Sequence, residues 1–220
     1  MTRILKFGRK AALGGKARSL VVFVHGYGAN GADLLSLADV MAPHLPDTAF
    51  AAPDAADRVP GAQMGYQWFP IPRFDGSSES QAATGLARSA ADLSDFVDQR
   101  LAYEGLGPET VALVGFSQGA MMALHVAPRR DVAMAAVVAI SGQLIAPERL
   151  QAETLVRPPI LVIHGDQDPV VDFSEMSAAA DALVAARFDT YGHVMTGVGH
   201  GISQDGLSTA LGFLKKYLPG

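Results

Sequence analysis

Six short runs rich in β-branched residues or alanine punctuate the chain, at residues 20–24, 49–52, 110–114, 135–140, 160–163 and 189–195. Most are apolar at consecutive positions rather than at alternate ones, so each strand must be covered on both faces. Segments with a helical period separate them. Leu86, Ala90, Leu93, Val97 and Leu101 fall on one helical face, leaving Arg88, Asp92, Asp95 and Arg100 for the other. That helix should stop near Gly105, with Gly107-Pro108 turning the chain into the next strand. Further helices are expected over 118–127, ended by Pro128, from Asp172 or Ser174 to about Arg187, and over 203–217 with Leu207, Leu211, Leu214 and Leu218 on one face. Residues 3–7 are a candidate edge strand. Strands alternating with helices predict an α/β fold, a mostly parallel sheet with helices on both faces. In such sheets ligands bind at the carboxyl ends of the strands, so chemistry is sought there.

Composition narrows the classes. At 220 residues, with no repeat and no linker, the chain reads as a single domain spanning 1–220. Seventeen Lys and Arg against twenty-two Asp and Glu leave a net charge of −5, no basic surplus to neutralise a phosphate backbone, so no nucleic-acid partner is expected. The absence of cysteine removes disulfides, thiolate metal sites, iron–sulfur clusters and a cysteine nucleophile. Residues 1–20 lack the apolar run of a signal peptide, and the longest apolar stretch, 132–140, is short of the ~18 residues of a membrane span. A cytoplasmic protein without a stable membrane anchor is the expectation.

Four strand ends carry unusual sequence: His25-Gly26-Tyr27-Gly28-Ala29-Asn30-Gly31, Gly115-Phe116-Ser117-Gln118-Gly119, His164-Gly165-Asp166-Gln167-Asp168-Pro169 and Gly197-Val198-Gly199-His200-Gly201. The second matches G-x-S-x-G between a strand and a helix, the sharp turn that lifts a serine hydroxyl above a parallel sheet. A serine needs a base, and the base an orienting carboxylate, in the chain order Ser, Asp or Glu, His. Among six histidines, His25 and His164 precede glycines and suit turn-stabilising roles, His44 and His125 lie in helical patterns, and His193 lies inside the last strand. His200 alone follows the last strand in a glycine-flanked loop. The carboxylate is Asp166 or Asp168. Asp168 precedes the stiffening Pro169 and stands farther out, whereas Asp166 suits a turn cap; periodicity does not separate them.

A rival motif occupies the first loop. Gly26-Tyr-Gly28-Ala-Asn-Gly31 is a literal G-x-G-x-x-G after a strand, and Asp54 ends the next strand at a spacing suited to a ribose hydroxyl. A dinucleotide-binding protein is therefore one alternative, and a non-catalytic binding module on a hydrolase scaffold another. The nucleotide reading uses one strand end; ester hydrolysis uses all four.

These motifs carry a resemblance to the phospholipase/carboxylesterase family of α/β-hydrolases, which includes acyl-protein thioesterases and small bacterial carboxylesterases. It runs from His25-Gly26-Tyr27-Gly28 through Ala52-Pro53-Asp54-Ala55, Gln67-Trp68-Phe69, Gly115-Phe116-Ser117-Gln118-Gly119-Ala120, Ser141-Gly142 and Gly165-Asp166-Gln167-Asp168-Pro169-Val170-Val171 to His200. The resemblance implies a Ser117, Asp168 and His200 triad, an oxyanion hole made by the backbone N–H groups of Tyr27 and Gln118, and no metal or cofactor. It further implies a serine carboxylesterase acting on small-molecule esters, with thioesters and lysophospholipids within its chemistry. Trp68 and Phe69 are expected to wall the substrate pocket, with a plain core role the competing expectation for Trp68. Met121 and Met122 are expected in the helix core, and residues 73–80 as a mobile loop near the entrance. Residues 141–159 and 73–80 are too short for a cap domain, so the site should be open, without interfacial activation, and should favour esters of short to medium acyl chains. A homodimer stays among the expectations.

Overall fold

A strand buried on both faces needs an apolar side chain at nearly every position, and the central strands have one. The computed structural model describes residues 2–219. Seven strands form the main sheet: β1 (Phe7–Lys10), β2 (Ser19–Val24), β3 (Thr48–Pro53), β6 (Val111–Phe116), β7 (Ala136–Ile140), β8 (Ile160–Gly165) and β9 (Thr190–Met195), in the order β1-β3-β2-β6-β7-β8-β9. All pairs are parallel except β1 on β3. A small antiparallel hairpin of two two-residue strands, β4 (Asp57–Arg58) and β5 (Tyr66–Gln67), forms a separate sheet.

Alternate residues of each strand feed two cores. Leu20, Val22 and Val24 of β2 pack under α4 (Glu79–Glu104), α5 (Gln118–Val126), α6 (Pro147–Glu153) and α7 (Ser174–Ala185). Val21 and Phe23 face the opposite layer of α1 (Gly31–Leu35), α2 (Leu37–Met41) and α8 (Gln204–Tyr217). Phe23 stacks on Phe50 of β3 with ring centroids 5.9 Å apart. Burial of this kind contributes about 25 cal/mol per Å² of apolar surface. The mostly parallel sheet with helices on both faces is the α/β-hydrolase arrangement, and the β7–β8 connection holds only the seven-residue α6. No cap domain is present among the described residues. No helix among them is long and apolar enough to cross a membrane.

Helix ends follow local chemistry. Ser78 caps α4 through a reciprocal box with Gln81, and Gly105 closes it in the left-handed region at φ 68°. Three expectations need revision. The edge strand starts at Phe7, not at residue 3, because Arg3 is drawn to α4 instead: its Nε donates to Asp92 at 2.7 Å and its Nη1 to Asp57 at 2.7 Å. Asp92 is consequently buried rather than on the outer helical face. Residues 73–80 are not all loop: they include most of one short helix and the start of α4. Pro72 starts the short α3 (Pro72–Asp75), Gly76 ends it at φ 70°, and Arg73 Nη2 donates to the Val170 carbonyl at 2.9 Å.

The chain runs from β2 outward to β3 and then returns to place β6 on the other side of β2. The strand order reverses between the ends of β2 and β6. The loops leaving those two strands therefore diverge and open a crevice, where parallel sheets place their ligands.

Candidate active site

Ser117 sits at that crevice, in the turn joining β6 to α5. Its backbone is at φ 54°, ψ −118°, a region L residues avoid at a cost of about 1–3 kcal/mol. Two glycines make the turn possible. A Cβ on Gly115 would lie 2.2 Å from the Gly119 carbonyl oxygen, and one on Gly119 would lie 1.9 Å from the Val24 carbonyl oxygen. The Ser117 N–H donates to the Ile140 carbonyl at 2.8 Å, anchoring the turn to β7.

The β9–α8 loop brings His200 to the serine, with Nε2 3.0 Å from Ser117 Oγ. Its Nδ1 lies 2.7 Å from Asp168 Oδ2. Both contacts are satisfied by one tautomer: Nδ1–H donates to the carboxylate while Nε2 accepts from the hydroxyl. The Asp168 side chain has no exposed surface, and its other oxygen accepts the N–H groups of Val170 at 2.8 Å and Val171 at 3.0 Å. Burial alone would raise its pKa; the bonds from His200, Val171 and Val170 outweigh it and hold the carboxyl below its ordinary value. Asp166 points elsewhere, accepting the Gly197 N–H at 2.7 Å. It ties the β8 turn to the loop that carries His200. That loop also rests on Gly165, where a Cβ would lie 2.3 Å from the Val198 carbonyl oxygen.

The first loop approaches from the other side. A Cβ on Gly26 would lie 3.3 Å from the Ser117 Cβ, so Tyr27 follows directly beside the serine. Among the described residues, neither the Tyr27 N–H nor the Gln118 N–H has an acceptor. Gln118 opens α5, where backbone N–H groups are free and the helix dipole favours negative charge. Buried polar side chains hold this geometry. His25 Nδ1–H donates to the Gly26 carbonyl at 2.7 Å and Nε2 accepts the Ala55 N–H at 3.0 Å. Burial pushes the His25 pKa down, which keeps the ring neutral and able to accept.

Trp68 lies in the core with no exposed surface; its Nε1–H donates to the His25 carbonyl at 2.9 Å. It supports the loop rather than walling a pocket. The Gln118 amide clamps the same segment, Oε1 accepting the Trp68 N–H at 2.8 Å and Nε2 donating to the Phe69 carbonyl at 2.7 Å. Phe69 does line a cavity, of about 420 Å³. Ser117 is not in its wall, but Met121 is, one turn along α5 with its N–H on the Ser117 carbonyl at 3.1 Å. Met121 thus faces the cavity, while Met122 keeps the expected core position. His125, Arg129 and the α6 residues Arg149 and Glu153 also line it, and the sequence offered no local signal for them.

The nucleotide motif resolves differently. Gly31 N–H donates to Asp54 Oδ1 at 2.8 Å, so the carboxylate meant for a ribose caps α1, a helix of five residues. A Cβ on Gly31 would meet the Ala52 carbonyl oxygen at 2.3 Å, which explains the glycine by packing.

Comparison with known proteins adds an independent line. A sequence model described as Phospholipase/Carboxylesterase matches residues 11–218. The crystal structure of esterase PE8 superposes with a TM-score of 0.92 at 40% identity, covering 98% of this chain and 100% of that one. Esterase YpfH of Escherichia coli is 29% identical over 207 residues, 92% of this chain and 84% of that protein. Acyl-protein thioesterase 1 of Saccharomyces cerevisiae is 29% identical over 214 residues, 92% of this chain and 94% of the relative.

Proposed function

This chain belongs to the phospholipase/carboxylesterase family, a carboxylic-ester hydrolase family, and we propose that it cleaves esters through Ser117, His200 and Asp168 by way of an acyl-enzyme. Ser117 Oγ attacks the ester carbonyl carbon as its proton passes to His200 Nε2. Asp168 holds the imidazole in the required tautomer and stabilises the imidazolium. The tetrahedral oxyanion is bound by the N–H groups of Tyr27 and Gln118, each worth about 10²–10³ in kcat. His200 then gives its proton to the departing alkoxide or thiolate. Water, activated by the same imidazole, hydrolyses the acyl-serine and restores the hydroxyl.

The observation that carries this reading is the unbroken hydrogen-bond chain from Ser117 through His200 to Asp168, at 3.0 Å and 2.7 Å. The two unpaired N–H groups beside the serine support it, being preorganised donors with no competing acceptor. The cavity lined by Met121, one turn along α5 from the serine, supports short to medium acyl chains on small-molecule esters. Thioesters and lysophospholipids present the same carbonyl and fall within the proposal, as does a cytoplasmic location. One sheet carrying both helical layers supports reading residues 1–220 as a single domain.

A fluorophosphonate probe tests the assignment. Mass spectrometry should find the adduct on Ser117, and Ser117→Ala should lose both labelling and turnover of p-nitrophenyl esters. An adduct on any other serine, or turnover undiminished in the variant, refutes the mechanism.

A further inference from the structure

The cavity beside Ser117 has two chemically different parts. Phe69, Ile71, Leu86, Met121 and Ile145 supply apolar wall. Along α5 and the turn after it, Met121, His125 and Arg129 follow Ser117 at successive four-residue steps, one stripe of the helix. At about 1.5 Å per residue, His125 lies about 12 Å along the axis from the serine. There α6 meets the stripe and contributes Arg149 and Glu153.

The charges at this end do not cancel. Glu153 is shared by two guanidiniums: Arg129 reaches Oε2 from Nε at 2.8 Å and from Nη2 at 2.7 Å, and Arg149 Nη2 contacts Oε1. Arg129 Nη1 also donates to the His125 carbonyl at 2.7 Å. Arg149 makes no other bond among the described residues and keeps free donors. Across the cavity Arg73 and Glu79 offset each other, so the lining as a whole carries one positive charge in excess. Beside Arg149, the buried Nδ1 of His125 has no hydrogen-bond partner among the described residues. Burial, with Arg129 nearby, pushes the His125 pKa down to about 4, so the ring is neutral and its unpaired nitrogen is costly. The Arg149 side chain is 65% exposed, so its free donors lie in solvent at this end of the cavity, where a purely hydrocarbon chain would offer them no partner.

We infer that the cavity is built for an acyl group ending in a carboxylate: the substrate is the half-ester of a medium-length dicarboxylic acid, with the free carboxylate on Arg149. This rests on Ser117 as the nucleophile. The reaction balances as ordinary hydrolysis, half-ester and water giving the diacid and the alcohol.

The p-nitrophenyl half-ester of suberic acid and p-nitrophenyl octanoate have the same chain length and differ only at the far end. Wild-type enzyme should show the higher kcat/KM for the suberate, and Arg149→Met should lower the suberate-to-octanoate ratio about tenfold or more, as a charge-assisted hydrogen bond implies. Taking the ratio cancels any shared change at Ser117. A second arm does not depend on turnover: calorimetry of free suberate with Ser117→Ala should show binding that Arg149→Met added to that protein removes. Octanoate preferred by wild type with a ratio insensitive to Arg149→Met, or no suberate binding to Ser117→Ala, overturns the inference. If suberate binds but neither ester is turned over in a Ser117-dependent way, the cavity assignment stands and the nucleophile assignment falls.

Discussion

Replacing Gln118 by methionine isolates what its amide does, because methionine has similar length and volume and keeps the backbone N–H. Two buried bonds would be lost, from the Trp68 N–H at 2.8 Å and to the Phe69 carbonyl at 2.7 Å. Neither backbone group has another partner among the described residues. Gln118 is only 1% exposed, so no solvent stands ready to replace them. Each stranded buried group costs about 1–3 kcal/mol, giving a loss of about 2–6 kcal/mol for the pair. An unfolding entropy of about 2.1 cal/mol/K per residue makes this a fall in Tm of about 4–13 °C for a chain of this size. Urea titration with an unchanged m-value and a lowered midpoint would locate the effect in the native state. A midpoint within about 0.5 kcal/mol of wild type would refute the clamp, and with it the account of how the Trp68–Phe69 segment is held against α5.

Other expectations follow from the same geometry. Asp168→Asn should lower kcat by about 10⁴, the loss expected when the imidazole tautomer is wrong, while Asp166→Asn, whose amide oxygen still accepts from Gly197, should stay within about tenfold of wild type; steady-state kinetics of the two decides. Gly119→Ala places a Cβ 1.9 Å from the Val24 carbonyl oxygen, where only backbone movement can relieve it, and should cost at least about 3 kcal/mol by urea titration. A wild-type midpoint would show that the elbow can relax. His125 has its pKa lowered to about 4, so between its ordinary 6.5 and that value the unfolded chain binds the proton first, and stability falls as pH drops through this window. Thermal melts at pH 7 and pH 5 should therefore show His125→Gln losing less stability on acidification than wild type. The depressed Asp168 carboxyl acts at lower pH: its stabilisation is present above its ordinary 3.8 and is lost as pH falls through its lower native value.

The strands were legible in the sequence because burial on both faces writes itself as an uninterrupted apolar run. All six expected segments match strands to within two residues at each end. The elbow was legible for a different reason. Gly115 and Gly119 are needed by contacts made within a few residues of the turn and with the adjoining β2, so spacing alone announces them. The short antiparallel β1 was misplaced by several residues because Arg3 answers to carboxylates on α4 and β4, 89 and 54 residues away.

Asp166 and Asp168 stand in one turn, two residues apart, with similar local credentials. What separates them is the β9 loop docking on Gly165, which brings His200 to one and the Gly197 N–H to the other. Trp68 belongs to the core because its indole meets a carbonyl 43 residues earlier. The polar end of the cavity joins Arg129 of the turn after α5 to Glu153 of a helix that periodicity did not reveal. Covering both faces of a sheet, bending a chain sharply and capping a helix are demands met by neighbours in sequence, and composition and spacing record them. Which carboxylate meets the imidazole and what closes the far end of the cavity depend on side chains brought together from distant segments, and only packing of the helices onto the sheet makes those meetings.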